Sequence, residues 1–504
     1  MVTLDQVIRS RIIGVWIAGV TCAMRLGTMI LGLLAWICAT ALQAGAPAVR
    51  IESGEVVGME TGPAAVFHAI PYAAPPVGAL RWKLPAPVRP WRKPRDAKAA
   101  GPACPQKVML GIPNLGGYFG PTAEDCLTLD VTAPKAAHRA PVMVWIFGGG
   151  NVAGASNLPS YDAVNFARDG VIVVAMNYRL GALGFFAHPA LTAEAPKDQP
   201  LANYGLMDQI AALKWVRRNI AAFGGDPGNV TLFGESAGGE DVLQLMAISS
   251  ARGLFHKAIV QSGGGWSPTP SLAEAESRGA ALATRLGLAG GAASAEQLRA
   301  VPVADLATLS ANVGPVIDGR LIRQTPRDAF ARGAAAPVPL IIGSNSNEAS
   351  LLGAAGLVPK AVLARALFND AVMGAPARWI AAKASTRAPS WLYYFSYVPE
   401  RQRGIRPGTN HASEIPFVFD SLDAVPGRTP LITPSERAEA ALAHSCWVGF
   451  ARGRRPICAG GQAWPAYTPA TDQLLEFGDP AGVRSHFRKA QLDTQESAAI
   501  ARKP

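Results

Sequence analysis

A doubly wound α/β sheet is the fold that this 504-residue sequence predicts, on three observations. Short runs of β-branched and apolar residues recur without polar alternation, the pattern of a parallel sheet buried on both faces. A segment with helical spacing of its apolar residues lies between two of these runs, as strand–helix alternation requires. The length exceeds one ordinary domain of roughly 150 residues and suits a single large α/β unit with insertions.

The elements follow in chain order. The first segment, residues 1–44, reads as a leader. It carries Arg9, Arg11 and Arg25 ahead of an apolar run from Met29 to Leu42. That run is shorter than the ~20 residues of a membrane-spanning helix. It ends in Ala41-Leu42-Gln43-Ala44 before Gly45, a small-residue terminus suited to signal-peptidase cleavage. Val15 to Ala23 is also apolar, which makes the leader long; a start at Met24 leaves an ordinary signal peptide. The rival is an uncleaved anchor. Export to a periplasm or the medium is the expectation, with no membrane span left after cleavage.

Residues 45–504 form the expected mature unit. Its strands are Val142–Phe147, Val171–Met176, Val230–Phe233, Ala258–Val260 and Val338–Ile342, then Leu392–Val398 and Leu474–Phe477. Between the second and third, Leu206, Ile210, Leu213, Val216 and Ile220 recur at helical spacing until Gly224-Gly225. Ala/Leu-rich helical stretches near 270–300 and 355–385 are expected as a reduced helical cap over one end of the sheet. No linker divides the unit.

Gly234-Glu235-Ser236-Ala237-Gly238 follows one of these strands and opens a helical segment. This is the strand–turn–helix setting of a G-x-S-x-G nucleophile elbow. The turn is too tight for side chains at the glycines, and it lifts the Ser236 hydroxyl above the sheet at a helix N-terminus. The helix dipole there favours developing negative charge. Gly148-Gly149-Gly150 follows strand Val142–Phe147 directly, so its backbone can turn N–H groups into a site without obstruction. Gly149, Gly150 and Ala237 are the expected oxyanion donors. Among the seven His, only His411 lies late in the chain within a Gly- and polar-rich loop. His444, in an Ala-rich helical run, reads as structural. Glu348 follows strand Val338–Ile342, which gives the order nucleophile, acid, histidine.

Several motifs now point to one family. Phe223-Gly-Gly-Asp-Pro-Gly-Asn-Val-Thr-Leu-Phe-Gly-Glu-Ser236-Ala-Gly-Gly239 resembles the nucleophile signature of the type-B carboxylesterases, the group that includes the cholinesterases. Glu124-Asp-Cys-Leu-Thr-Leu-Asp-Val131 resembles their second signature, and Asn177-Tyr-Arg-Leu-Gly181 and His411-Ala-Ser-Glu-Ile-Pro-Phe-Val-Phe419 are further marks. The resemblance runs from about Val56 to Gly478. It implies an α/β-hydrolase fold and hydrolysis of carboxylic esters without metal or organic cofactor. It also implies a Ser236–His411–Glu348 triad, a Cys104–Cys126 disulfide, and ion pairs Arg179–Asp208 and Arg81–Glu124. Where the family has Asp-Glu-Gly, this chain has Asn347-Glu348-Ala349, so the acid is retained and its neighbours differ. Cys446–Cys458 is expected only because an exported chain tends to pair its remaining cysteines.

Composition narrows the function further. With 16% charged residues and eleven Trp, the chain is not disordered. The net charge of +11 sits in small clusters such as Arg89-Pro-Trp-Arg-Lys93 and Arg452-Gly-Arg-Arg455, without a nucleic-acid-binding spacing. The expected partner is a small or bulky ester. Asn151 stands where relatives often carry an aromatic residue; either it reflects drift at a loop position or it hydrogen-bonds a polar acyl group. The short Glu348–His411 segment leaves fewer residues to roof the site, so bulky or carboxylate-bearing esters are expected substrates. A catalytically silent binding relative would lose the serine, which is present here. A lactonase or amidase would use the same triad.

Overall fold

The apolar runs become strands because each buries on both faces. The computed structural model describes residues 46–107, 120–309, 314–354 and 366–501. The expected leader, with Cys22 and Cys38, lies outside them, as does 355–365 of the second expected cap insertion. The described strands are β1 (Ala48–Ile51), β2 (Gly54–Val57), β3 (Met59–Thr61), β4 (Ala64–Pro71), β5 (Arg95–Asp96), β6 (Thr128–Pro134) and β7 (Ala140–Ile146). They continue as β8 (Ile172–Met176), β9 (Gly225–Glu235), β10 (Lys257–Gln261), β11 (Leu340–Asn345), β12 (Ser390–Phe395), β13 (Gln473–Phe477) and β14 (Gly482–Ser485).

One 11-stranded sheet has the order β14-β13-β12-β11-β10-β9-β7-β8-β6-β4-β3. Its middle, from β8 to β13, is parallel, and antiparallel strands close both edges. A separate three-stranded sheet joins β1, β2 and β5. Every residue of β8 and β10 is buried. Each such Val or Ile contributes about 1.5–3 kcal/mol relative to exposure. The register aligns the strand ends: Ile146 pairs with Gly234, Glu235 with Gln261, Gln261 with Gly343, and Asn345 with Phe395. The loops that leave β7, β9, β10 and β11 therefore emerge side by side. In open α/β sheets this carboxyl edge is where ligands bind.

The helix Tyr204–Asn219 buries Leu206, Ile210, Leu213 and Val216, as the spacing predicts. It runs into a short 3₁₀ turn that ends at Gly224, with φ +79°, where a Cβ would lie 2.2 Å from the Ala137 carbonyl oxygen. Helix Leu272–Arg285 starts in a capping box of Ser271 and Glu274. Its Gly279 lies so close to the 187 carbonyl that a Cβ would sit 1.8 Å from Ala187 O. Helix Ala375–Ser385 packs against β11 and β12, with Ile380 and Ala381 fully buried. This part of the second expected cap insertion covers a sheet face, because its alanines allow close approach to the strands.

Two cystines are present, Cys104–Cys126 and Cys446–Cys458, closing loops of sequence separation 22 and 12. By loop entropy the first contributes about 3 kcal/mol. Both expected ion pairs form. Arg179 Nε and Nη2 each donate to Asp208 at 2.8 Å, and Arg81 holds Glu124 through two bonds of 2.7 and 2.6 Å. Arg81 also donates to the carbonyls of Arg299 and Val301, tying the N-terminal loops to the helical additions.

Candidate active site

Ser236 follows β9 directly and caps the helix Ala237–Ala247 with φ 56° and ψ −125°. A non-glycine residue held there stores on the order of 1–3 kcal/mol of strain. Close packing of backbone holds it in place. A Cβ on Gly238 would lie 2.1 Å from the Ile146 carbonyl oxygen, and one on Gly234 2.5 Å from that of Gly238. The Ser236 N–H donates to Gln261 O at 2.9 Å, fixing the turn to β10. The residue stays partly exposed while its neighbours are buried.

The glycine loop lies against this turn. A Cβ on Gly148 would sit 2.9 Å from Ser236 Cβ. Gly149 and Gly150 take φ of +104° and +65°, and the Gly149 carbonyl accepts from Val152 and Ala153. Their own N–H groups have no backbone acceptor among the described residues. The Ala237 N–H is an orphan donor of the first helical turn. Asn151 is buried, and its Nδ2 donates to Asp241 Oδ1 at 3.2 Å. The reason is the buried Asp241 carboxylate, which must find donors and takes them from Asn151 and from Gln209 at 2.6 Å. Burial still pushes Asp241 up to about 7 against these two bonds.

Glu348 and His411, 63 residues apart, meet through His411 Nδ1 and Glu348 Oε2 at 2.5 Å. The other oxygen of Glu348 accepts from Ser262 Oγ and the Asn345 N–H, each at 2.6 Å. The histidine loop is anchored by the His411 N–H to Ser350 Oγ (2.9 Å) and by Asn347 Nδ2 to Asn410 Oδ1 (2.7 Å). Below it, Phe419 packs on Trp145 and Phe233 at centroid distances of 5.1 and 5.6 Å. These rings belong to β7 and β9, so the packing ties the histidine loop to the strands that carry the glycines and the serine. Each such pair contributes about 0.5–1.5 kcal/mol beyond its buried area. His444 has both ring nitrogens engaged, with Val418 O at 2.8 Å and Asp169 Oδ2 at 3.1 Å.

Three further residues shape the site without having been singled out from the sequence. Ser262 steadies Glu348 and has a left-handed φ of 49°. Glu235, the second residue of the elbow, places Oε1 3.2 Å from His411 Nε2. Glu414, within the histidine motif, accepts from Gln261 Nε2 at 3.0 Å and from Asn345 Nδ2. Burial raises Glu235 well above the usual carboxylate range and raises Glu414 as well. Both glutamates lay inside motifs already visible in the sequence, but the partners they meet depend on the fold. At His411 burial opposes the imidazolium, while Glu235, Glu348 and the bond to Glu348 favour it, and the net effect raises its pKa.

The sequence profile of the carboxylesterase family matches residues 45–364 and 360–495. Fumonisin B1 esterase of Sphingopyxis macrogoltabida is 36% identical over 485 residues, covering 86% of each chain. Para-nitrobenzyl esterase of Bacillus subtilis is 36% identical over 477 residues, covering 85% of this chain and 94% of its own. Among solved structures, a PNB esterase aligns with a TM-score of 0.78 at 33% identity over 89% of this chain and 99% of its own. A carboxylesterase of Geobacillus stearothermophilus aligns with a TM-score of 0.77 at 29% identity over 88% and 99%. With the α/β-hydrolase sheet of these esterases and their sequence along most of its length, this chain belongs to the carboxylesterase family and is a carboxylic ester hydrolase.

Proposed function

We propose that Ser236, His411 and Glu348 act as the catalytic triad of an exported serine esterase, with Gly149, Gly150 and Ala237 as oxyanion donors. Ser236 Oγ attacks the ester carbonyl carbon while His411 Nε2 takes its proton. The C–O bond to the alcohol then breaks, the proton passes to the leaving oxygen, and an acyl-serine remains. Water deprotonated by His411 then attacks the acyl carbon, the bond from that carbon to Ser236 Oγ breaks, His411 returns the proton to Oγ, and the acid leaves. Glu348 fixes the imidazole tautomer through Nδ1 and stabilises the imidazolium. Each oxyanion donor lowers the barrier by about 2.7–4 kcal/mol. The observation that carries this reading is the His411–Glu348 bond, assembled from distant segments at the sheet edge where Ser236 emerges.

The test is the pH dependence of kcat/KM on a p-nitrophenyl ester. The base must be neutral, so activity falls as pH drops through the His411 pKa. That pKa lies above the ordinary 6.5, so the acid limb should sit on the alkaline side of that value. Glu348→Gln removes a charge that favours the imidazolium, so it should move the limb downward and slow turnover by up to about 10⁴-fold. An acid limb unmoved in the variant contradicts the assignment.

The first 44 residues direct export and are removed, leaving residues 45–504 as the hydrolase unit with helical additions near 270–300. Two cystines suit an oxidising compartment, and the family match begins at residue 45. N-terminal sequencing of the protein from periplasm or medium should begin at Gly45. An intact leader in the membrane fraction would overturn this reading. The substrates are bulky or polar esters, in keeping with the net charge of +11.

A further inference from the structure

Asp241 is a fully buried carboxylate that the ester-cleaving steps above do not use. It sits one turn into helix Ala237–Ala247, four residues after Ala237. Residues four apart share a helix face, and side chains lean back toward the helix N-terminus. Asp241 therefore shares a face with Ala237, whose N–H is one of the three oxyanion donors. Its Oδ1 accepts from Asn151 Nδ2 at 3.2 Å, and its Oδ2 from Gln209 Nε2 at 2.6 Å. Asn151 is 4% exposed, and Asp241 and Gln209 are both at 0%.

Asn151 directly follows Gly149 and Gly150, the other two donors. Its backbone takes φ +60°, a left-handed conformation that asparagine adopts more readily than most residues. Glycine would adopt it freely but would bring no amide. The loop has other anchors. The Tyr178 hydroxyl donates to Phe147 O at 2.8 Å, and the Gly181 N–H to Asn151 O at 2.7 Å. Gln106 exchanges two bonds of 2.8 Å with Gly154. None of these reaches helix Ala237–Ala247. Among the described residues, Asn151–Asp241 is the one hydrogen bond between residues 148–154 and that helix.

The arrangement is expensive. A buried carboxylate with two neutral donors is poorly compensated for its lost hydration. The carbonyl oxygen of each amide, Asn151 Oδ1 and Gln209 Oε1, has no hydrogen-bond partner. Apolar side chains of similar volume would fill the same space without these losses. A hydrogen bond does what they cannot, because it fixes both distance and direction between loop and helix.

We infer that Asp241 and Asn151 are positioning residues, which hold the Gly149 and Gly150 N–H groups in register with that of Ala237. Gln209 steadies the carboxylate from its other side. This role rests on the triad and oxyanion reading above.

The experiment uses 4-nitrophenyl butyrate and an alkyl trifluoromethyl ketone. Ser236 Oγ adds to the ketone carbon, its proton passes to His411 Nε2, and the oxyanion formed occupies the hole. Asn151→Gly keeps the left-handed backbone and removes only the tie. It should lower kcat and raise the ketone Ki, each by about 10²-fold, with KM little changed. Asp241→Ala should show the same loss, and the double variant no further loss, because the pair acts as one unit. Asp241→Asn should restore most of the activity. Its amide can accept from Asn151 and donate to the partnerless Gln209 Oε1 once that amide turns over. Protein lost to unfolding lowers kcat without moving Ki, so the ketone separates positioning from stability. A raised KM with native kcat in Asn151→Gly would make Asn151 a substrate contact and overturn the role. Additive losses in the double variant would overturn it as well. Native kcat and Ki in Asn151→Gly, with Ser236→Ala inactive, would overturn it and leave the esterase reading standing. Normal turnover in Ser236→Ala would overturn the esterase reading and this role together.

Discussion

Ser236→Ala should reduce kcat by about four to six orders of magnitude, because it removes the attacking atom and leaves only binding and oxyanion stabilisation. Folding should be unaffected. The strain at φ 56° belongs to the backbone, and alanine has the same Cβ as serine. The Ser236 N–H bond to Gln261 O and the close contacts of Gly234 and Gly238 do not involve the hydroxyl. An organophosphate should label one serine of the native protein, found by mass spectrometry in the peptide containing Ser236. Label on another serine, or normal turnover in the variant, would remove Ser236 from the mechanism.

Arg179→Ala should cost about 3–5 kcal/mol of unfolding free energy, the usual penalty for leaving one partner of a buried pair alone. Asp208 is fully buried, and it would lose two side-chain donors at once. The Lys83 carbonyl would lose a donor as well. Burial already raises Asp208 above the usual carboxylate range even with Arg179 beside it, and removing the arginine raises it further. A carboxyl with a raised folded-state pKa binds more protons folded than unfolded, so the variant loses stability as pH increases through that region. The deficit against the native protein should therefore be largest at neutral pH and smaller in acid. Urea unfolding at two pH values measures both effects. A variant as stable as the native protein at pH 7 would mean that the pair does not hold these loops to the sheet.

Several features were legible because they are enforced locally. The elbow needs glycine at 234 and 238, since either Cβ would collide with backbone oxygen. The strands needed only unbroken apolar runs, because both faces of the sheet are covered. The helix Tyr204–Asn219 showed its buried stripe in its spacing. Arg179, Asp208 and the Cys104–Cys126 link were implied by resemblance and not by local pattern.

The sequence by itself determined the sheet, the elbow, the glycine loop and the order of the candidate triad, because backbone sterics and apolar periodicity act over a few residues. Only the tertiary structure decided where long-range polar groups point. It turned Asn151 onto Asp241, 90 residues away, because that buried carboxylate had to be satisfied. It brought Glu235 to the histidine, Glu414 to Gln261 and Asn345, and Ser262 to Glu348, and it laid helix Ala375–Ser385 on the sheet. Hydrogen-bond direction and charge crowding depend on which segments become neighbours, and no local pattern in the chain records that.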